Sequence, residues 1–254
     1  MFTRKMIWVI YSPYKFTCTH LEIIIIIFKN LYLIITSLPN HLPMFVIERT
    51  ESFVKRICNT RDPSHGYHHA CQVRDLSISI TKELADANID VEMINIVALC
   101  HDVADSKYDY NMGYLAAKLL FFLEQNFQDE EVDKIQRILN IIDYISFSKE
   151  KKSRVCASEH PYGSIVLNET DLKIRNIVSD ADKLEALGRV GFQRCVQWVL
   201  LNPVVGQTLK ETVTKHAEDK LYLLLKENYI ITAPARNMAI ALELELRECI
   251  AAMS

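Results

Sequence analysis

The sequence predicts an all-α fold, and three observations carry that expectation. Only six glycines and seven prolines are spread along 254 residues, few for a β protein that must turn about every ten residues. Apolar positions recur mostly at intervals of three and four, the period of an amphipathic helix. Half of the residues are hydrophobic, enough for a sizeable core, and neither an internal repeat nor a long linker divides them.

The first 43 residues stand apart from the rest as an apolar segment without amphipathic order. The run from Leu21 to Leu38 approaches the length of a membrane span, but Glu22, Lys29 and Asn30 interrupt it. Three readings compete: a weak membrane anchor, a docked extension, or a translated upstream region with the natural start at Met44. The last is preferred, because the isoleucine run looks like low-complexity bias and an ordinary amphipathic helix begins at Met44. Residues 44–254 are expected to form a single domain.

From there the periodicity predicts helices over 45–59, 66–88, 90–104, 111–126, 129–146, 167–188, 190–201, 208–228 and 232–252. Asp90 reads as an N-cap, Pro63 and Ser64 as a start signal, and Asn202-Pro203 and Ala233-Pro234 as breaks. Residues 149–166, KEKKSRVCASEHPYGSIV, are polar and turn-rich, and are expected to form a mobile loop that could act as a lid.

Charge and cysteine content narrow the function classes. The chain holds 29 basic and 32 acidic residues, of which residues 1–43 take four and one, so the body has a net charge of −6. Such a body is a poor match for a nucleic-acid polymer, whose binding rests on neutralising phosphates. Small anions remain open to it through a local cluster or a metal. The seven cysteines are scattered without a C-x-x-C pair, which suits reduced thiols in an intracellular, cytoplasmic protein.

Three stretches place chemistry-bearing residues on apolar helix faces. In DPSHGYHHACQV the stripe Val73, Leu76, Ile80, Leu84 extends backward to His69 and then His65, while His68 falls on the polar side with Gln72 and Asp75. In VEMINIVALCHDVADSKYD, Ile94, Val97 and His101 share a face that Asp102 flanks. In NIVSDADKLEALG, Asp180 and Asp182 lie on opposite margins of the face made by Ile177, Val178, Ala181 and Leu184, and periodicity alone does not choose between them. Taken singly, each stretch has an ordinary explanation: a core histidine, a polar helix end, a solvated acid beside a lysine. Together they predict a site of two histidines and two aspartates, since a buried aspartate is expensive unless it is paired or bound to a cation.

The order of His69, His101-Asp102 and an aspartate in ADKL resembles the HD-domain metal-dependent phosphohydrolase superfamily. The blocks DPSHGYHHACQV, ALCHDVADSKYD, IIDYISFSK, IVSDADKLEALGRVGFQR and the later TVTKHAEDKL and APARNMA are similar to its small bacterial-type branch, some members of which are nucleotide pyrophosphatases. The resemblance covers roughly residues 45–250. It implies a compact helical bundle with His69, His101, Asp102 and Asp182 as metal ligands, the last because the family aspartate follows alanine and precedes a basic residue and leucine. It leaves Asp180 as a neighbour of the ligands or of substrate, and matches His65 to a family histidine near the site. Gly66 departs from the family, where an acidic residue is usual. The EHPYG of residues 159–163 is only an echo of the Gly-Tyr-Pro signature of the cyclic-dinucleotide phosphodiesterases, and that assignment is rejected.

A mixed nitrogen and oxygen ligand set suits Mn²⁺, Mg²⁺, Fe²⁺ or Ni²⁺ at least as well as Zn²⁺. Asp105, one turn beyond His101, is a candidate to orient a water or an imidazole. Lys107, Lys183, Arg194, His216 and Lys220 lie in the family-like blocks and are the candidates to hold substrate phosphate. The expected activity is metal-dependent hydrolysis of a small phosphorylated metabolite, foremost a nucleoside triphosphate cleaved to monophosphate and pyrophosphate. The alternatives are a nucleoside 5′-monophosphatase and, from another class, a non-catalytic metal- or nucleotide-binding module.

Overall fold

The computed structural model describes residues 46–62, 64–109, 113–127, 132–155 and 162–253. The readings made for residues 1–43 and for most of EHPYG lie outside these residues. Among the described residues all regular structure is helical: α1 (Val46–Cys58), α2 (Tyr67–Leu84), α3 (Val91–Cys100), α4 (Tyr114–Asn126), α5 (Val132–Asp143), α6 (Phe147–Val155), α7 (Glu169–Glu185), α8 (Gly188–Leu201), α9 (Leu209–His216), α10 (Leu223–Lys226) and α11 (Ala233–Ala251). None of these helices is long and apolar enough to cross a membrane.

The centre of the fold is the trio α2, α3 and α7, each of which packs on the other two. The stripes read from sequence are what they bury: Val73 and Ile80 of α2, Ile94 and Val97 of α3, and Ile177, Val178 and Ala181 of α7 are all fully inaccessible to solvent. Burying an isoleucine or valine side chain contributes about 1.5–3 kcal/mol, so this seam fixes how the three helices meet. α3 starts where the sequence indicated, with the Asp90 carboxylate accepting from the Met93 N–H at 2.9 Å. α2 starts at Tyr67, one residue from the expected position, after Gly66 and without a side-chain cap. Ser64 instead turns to Asp62, its N–H donating to the Asp62 carboxylate at 3.0 Å.

Two departures from the sequence reading bear on the site. The first part of the expected loop is helix α6, and its Glu150 is completely buried. Arg175 and Lys183 of α7 donate to one Glu150 oxygen at 2.8 and 2.9 Å, and Arg154 donates to the other at 2.6 Å. A charged hexapeptide that looks solvated in sequence is thus held down by ion pairs to a distant helix. The second departure is in the helix expected over 208–228, which is three pieces: α9, a π-helical turn at Ala217–Leu221, and α10. Inserted π turns re-aim side chains and often occur at functional sites; this one carries Lys220.

The reversal between α7 and α8 depends on glycine at two positions. Gly188 has φ +64°, a left-handed conformation. At Gly191 a Cβ would stand 2.0 Å from the Ala186 carbonyl oxygen. The tight turn folds α8 back so that Arg194 returns to the end of α7.

Candidate metal centre and adjoining cavity

His69 sits in the first turn of α2, His101 and Asp102 immediately follow α3, and Asp182 lies in the last turn of α7. The packed trio of helices therefore brings their ligand-bearing ends to one point. The ends of α3 and α7 are C-terminal, where the helix dipole favours positive charge. His69 Nε2 and His101 Nε2 are 3.3 Å apart. The Asp102 Oδ2 is 3.5 Å from each of them, and the Asp182 Oδ1 is 3.4 Å from His69 Nε2 and 3.8 Å from His101 Nε2. Both imidazoles are buried.

The other nitrogen of each ring explains why these atoms face one another. His101 Nδ1 donates to the Ala98 carbonyl at 2.7 Å, and His69 Nδ1 donates to the Glu185 carboxylate. When the rings are neutral, commitment of both Nδ1 atoms as donors leaves both Nε2 atoms with lone pairs. Two lone pairs cannot bond to each other, and the two aspartate oxygens beside them add acceptors only. His69, His101 and Asp182 each offer a ligand atom within 4.8 Å of the others and could hold a metal ion, with Asp102 Oδ2 3.5 Å from both ring nitrogens. Ligand bonds of about 2.1 Å separate neighbouring ligand atoms by about 3.0 Å in an octahedron and about 3.4 Å in a tetrahedron, which the observed 3.3–3.8 Å spacings fit.

The electrostatics agree with that donor set. Burial alone would push His69 down, but the Asp102, Asp182 and Glu185 carboxylates raise its pKa to about 11. Burial would raise Asp182, yet His69 and His101 hold its carboxyl below the usual range. Asp102 is lowered against burial in the same way, with His101 the largest opposing influence. The cluster is short of positive charge.

Glu185 was not singled out from sequence. It stands three residues after Asp182, on the same helix face, and that spacing was the available signal. The structure makes it the group that orients His69, as a carboxylate behind a metal-binding imidazole commonly does. Arg194 holds it in turn, with both guanidinium nitrogens 2.7 Å from its two oxygens.

Beside the cluster opens a cavity of about 300 Å³ lined by His65, His69, Asp182, Arg194, Trp198, His216 and Lys220 among others. Four of the expected phosphate-holding residues, Lys183, Arg194, His216 and Lys220, thus line one cavity with two of the expected ligands. Burial and the neighbouring Lys220 keep His216 below the ordinary histidine value. His65 lies in the turn before α2 rather than on the helix. Its Nδ1 is 2.8 Å from Ser64 Oγ and 3.3 Å from the Asp62 carboxylate, and its ring centroid is 6.3 Å from that of His69. His68 is exposed, as its polar-side position indicated.

The expectations for Asp180 and Lys183 are corrected. Asp180 faces away from the cluster and accepts from the Ile231 N–H at 2.9 Å, the Thr232 N–H at 2.6 Å and the Thr232 hydroxyl at 2.7 Å. It ties α7 to the start of α11. Lys183 lines the cavity, but its three protons go to Glu150, Ser179 Oγ and the Tyr229 carbonyl at 2.8–2.9 Å. Asp105 and Lys107 do not line the cavity. Asp105 Oδ1 accepts from the Lys107 N–H at 2.8 Å, and the Lys107 ammonium lies 3.6 Å from Asp62.

Arg61, also unmarked in the sequence, clips the two sides of the centre together. Its guanidinium donates to the Asp102 and Val103 carbonyls at 2.6 and 2.8 Å and lies over the Tyr108 ring.

No protein-family model matches the chain. Among curated proteins, YpgQ of Bacillus subtilis, itself uncharacterised, is 29% identical over 153 residues, spanning 58% of this chain and 63% of that protein. The match therefore covers less than two thirds of that relative. Among solved structures, an HD-superfamily hydrolase from Bacillus thuringiensis superposes with a TM-score of 0.56 at 22% identity, over 81% of this chain and 93% of that one. The chain has an HD-domain fold. Bacillus subtilis YpgQ in complex with ADP gives a TM-score of 0.59 at 20% identity, over 81% and 92% of the two chains. A Lactobacillus plantarum protein gives 0.61 at 21% identity, over 83% and 96%.

Proposed function

We propose that this chain is a metal-dependent phosphohydrolase of a small phosphorylated metabolite, and that a nucleoside triphosphate, cleaved to monophosphate and pyrophosphate, is its substrate. One observation carries the reading. Ligand atoms of His69, His101 and Asp182 lie within 4.8 Å of one another, with Asp102 Oδ2 3.5 Å from both ring nitrogens, and the cavity beside them is lined by Arg194 and Lys220. The HD-superfamily hydrolase of similar fold supports the activity, and the ADP bound to YpgQ supports a nucleotide as the ligand.

In this reading those four side chains hold a divalent cation. Such an ion supplies Lewis acidity: it draws electron density from a phosphoryl oxygen and acidifies a water. The chain's own groups do the rest. Glu185 and the Ala98 carbonyl keep Nε2 of each imidazole free to ligate. Lys220 and Arg194 place positive charge where phosphate oxygens would lie, and charge-assisted contacts of this kind are stronger than neutral ones. His65, on the cavity wall with its Nδ1 beside Ser64 and Asp62, is the candidate to pass a proton to the leaving phosphate. Asp105 and Lys107 shape the turn after the His-Asp pair. The hydrolase unit is taken to be residues 44–254.

The test is a screen of the full chain against nucleoside tri- and monophosphates with Mn²⁺, Mg²⁺, Fe²⁺, Ni²⁺ and Zn²⁺, beside His101→Ala and Asp102→Ala. Pyrophosphate release by wild type that both variants lose is the expected result. Orthophosphate released from monophosphates alone would replace the triphosphate reading with a monophosphatase. No turnover with any metal, or equal rates in all three proteins, would leave a non-catalytic binding module.

A further inference from the structure

The cavity has one wall that phosphate chemistry does not explain. Trp198 of α8 lines it, yet remains 48% exposed. A bare indole is a large apolar surface that a flat partner can cover, at a gain beyond the area buried. The page of the indole toward α9 is already occupied: the His216 ring lies 4.5 Å away, centroid to centroid, at 35°. Trp198 stands four residues after Arg194 on the same helix, so the two project from one face. Arg194 is anchored through Glu185 to His69. Indole, guanidinium and metal cluster thus form a connected series along the cavity, with Lys220 on the π-helical turn facing it. A volume of about 300 Å³ is at the lower end for small-molecule pockets.

Resting on the nucleotide reading above, we infer that Trp198, backed by His216, is a stacking platform for the nucleobase, with the phosphates directed from there past Arg194 and Lys220 toward the histidine-aspartate cluster. Trp198 is then a specificity-determining residue. It separates nucleotides from polyphosphates of equal charge, and binding through a π face tolerates different bases.

The chain offers its own reporter, since its two tryptophans are Trp8 and Trp198. In full-length Trp8→Phe protein with excess chelator, so that no turnover occurs, adenosine triphosphate is expected to quench the emission and inorganic tripolyphosphate to leave most of it. Calorimetry then compares Trp198→Leu, which keeps apolar bulk, and Trp198→Phe, which keeps a ring, with the native chain. Trp198→Leu is expected to weaken adenosine triphosphate about 5- to 150-fold more than tripolyphosphate, the range for losing one stacked base, with Trp198→Phe in between. Absence of quenching by the nucleotide, or equal weakening of both ligands by Trp198→Leu, overturns the platform. Because none of these readouts involves hydrolysis, failure of the platform and failure of the hydrolase reading are distinguished.

Discussion

Helix α7 carries two polar clusters on different faces, and they differ in how their charges are matched. On one face Arg175 and Lys183 meet Glu150, and every donor and acceptor around Lys183 has a protein partner at hydrogen-bond distance. On the other, Asp182 and Asp102 gather with the Nε2 atoms of His69 and His101 about one centre. The first cluster is complete within the protein; the second is a group that could hold a cation. Burial by itself therefore does not mark a functional charge. What marks it is a set of ligand-type atoms from several helices pointing at a common centre.

The comparison can be broken most forcefully at Glu150. Glu150→Ala leaves two buried cations without their counter-ion, and losing one partner of a buried pair costs about 3–5 kcal/mol. Urea denaturation should show that loss; a change under about 1 kcal/mol would mean the network is not structural. The centre should respond differently. Glu185→Gln keeps the size of the side chain but weakens the acceptor behind His69, and is expected to lower metal affinity or metal-dependent turnover about 10- to 100-fold, read by metal titration. An unchanged metal affinity would remove Glu185 from the centre.

The smallest effect is a pH dependence. Burial raises the Glu150 carboxyl, but Lys183 and Arg175 outweigh it and hold the group below its ordinary value of 4.5. The folded protein therefore binds this proton less readily than the unfolded chain does. The contribution to stability is present above pH 4.5 and is lost as the pH falls through the lower folded value. The stability gap between wild type and Glu150→Gln should accordingly narrow on acidification below pH 4.5, and a gap that widens would reverse the assignment.

The pattern of success in reading the sequence follows from the same distinction. His69 and His101 were legible because a local stripe points them inward and the helices bearing them bury that stripe. Asp182 and Asp180 were not separable by periodicity, because both lie at the margin of the apolar face. Only the position of residues 231–232, fifty residues downstream, makes Asp180 a tie to the last helix. The same limit applies to α6. Its KEKKSR looks solvated until α7 supplies Arg175 and Lys183 to Glu150. Trp198 gave no local sign, since a tryptophan at a helix end is ordinary and its relation to His216 is tertiary.

The Arg61 clip has a consequence for how the centre is filled. It joins the segment entering α2 to the turn leaving α3 through backbone carbonyls, not through the ligating atoms themselves. The α2 and α3 ends are thereby positioned by the polypeptide before any ion arrives, unlike small domains that fold only around their metal. A cation bound there would then carry little ordering entropy, and a chelator would be expected to leave the protein folded.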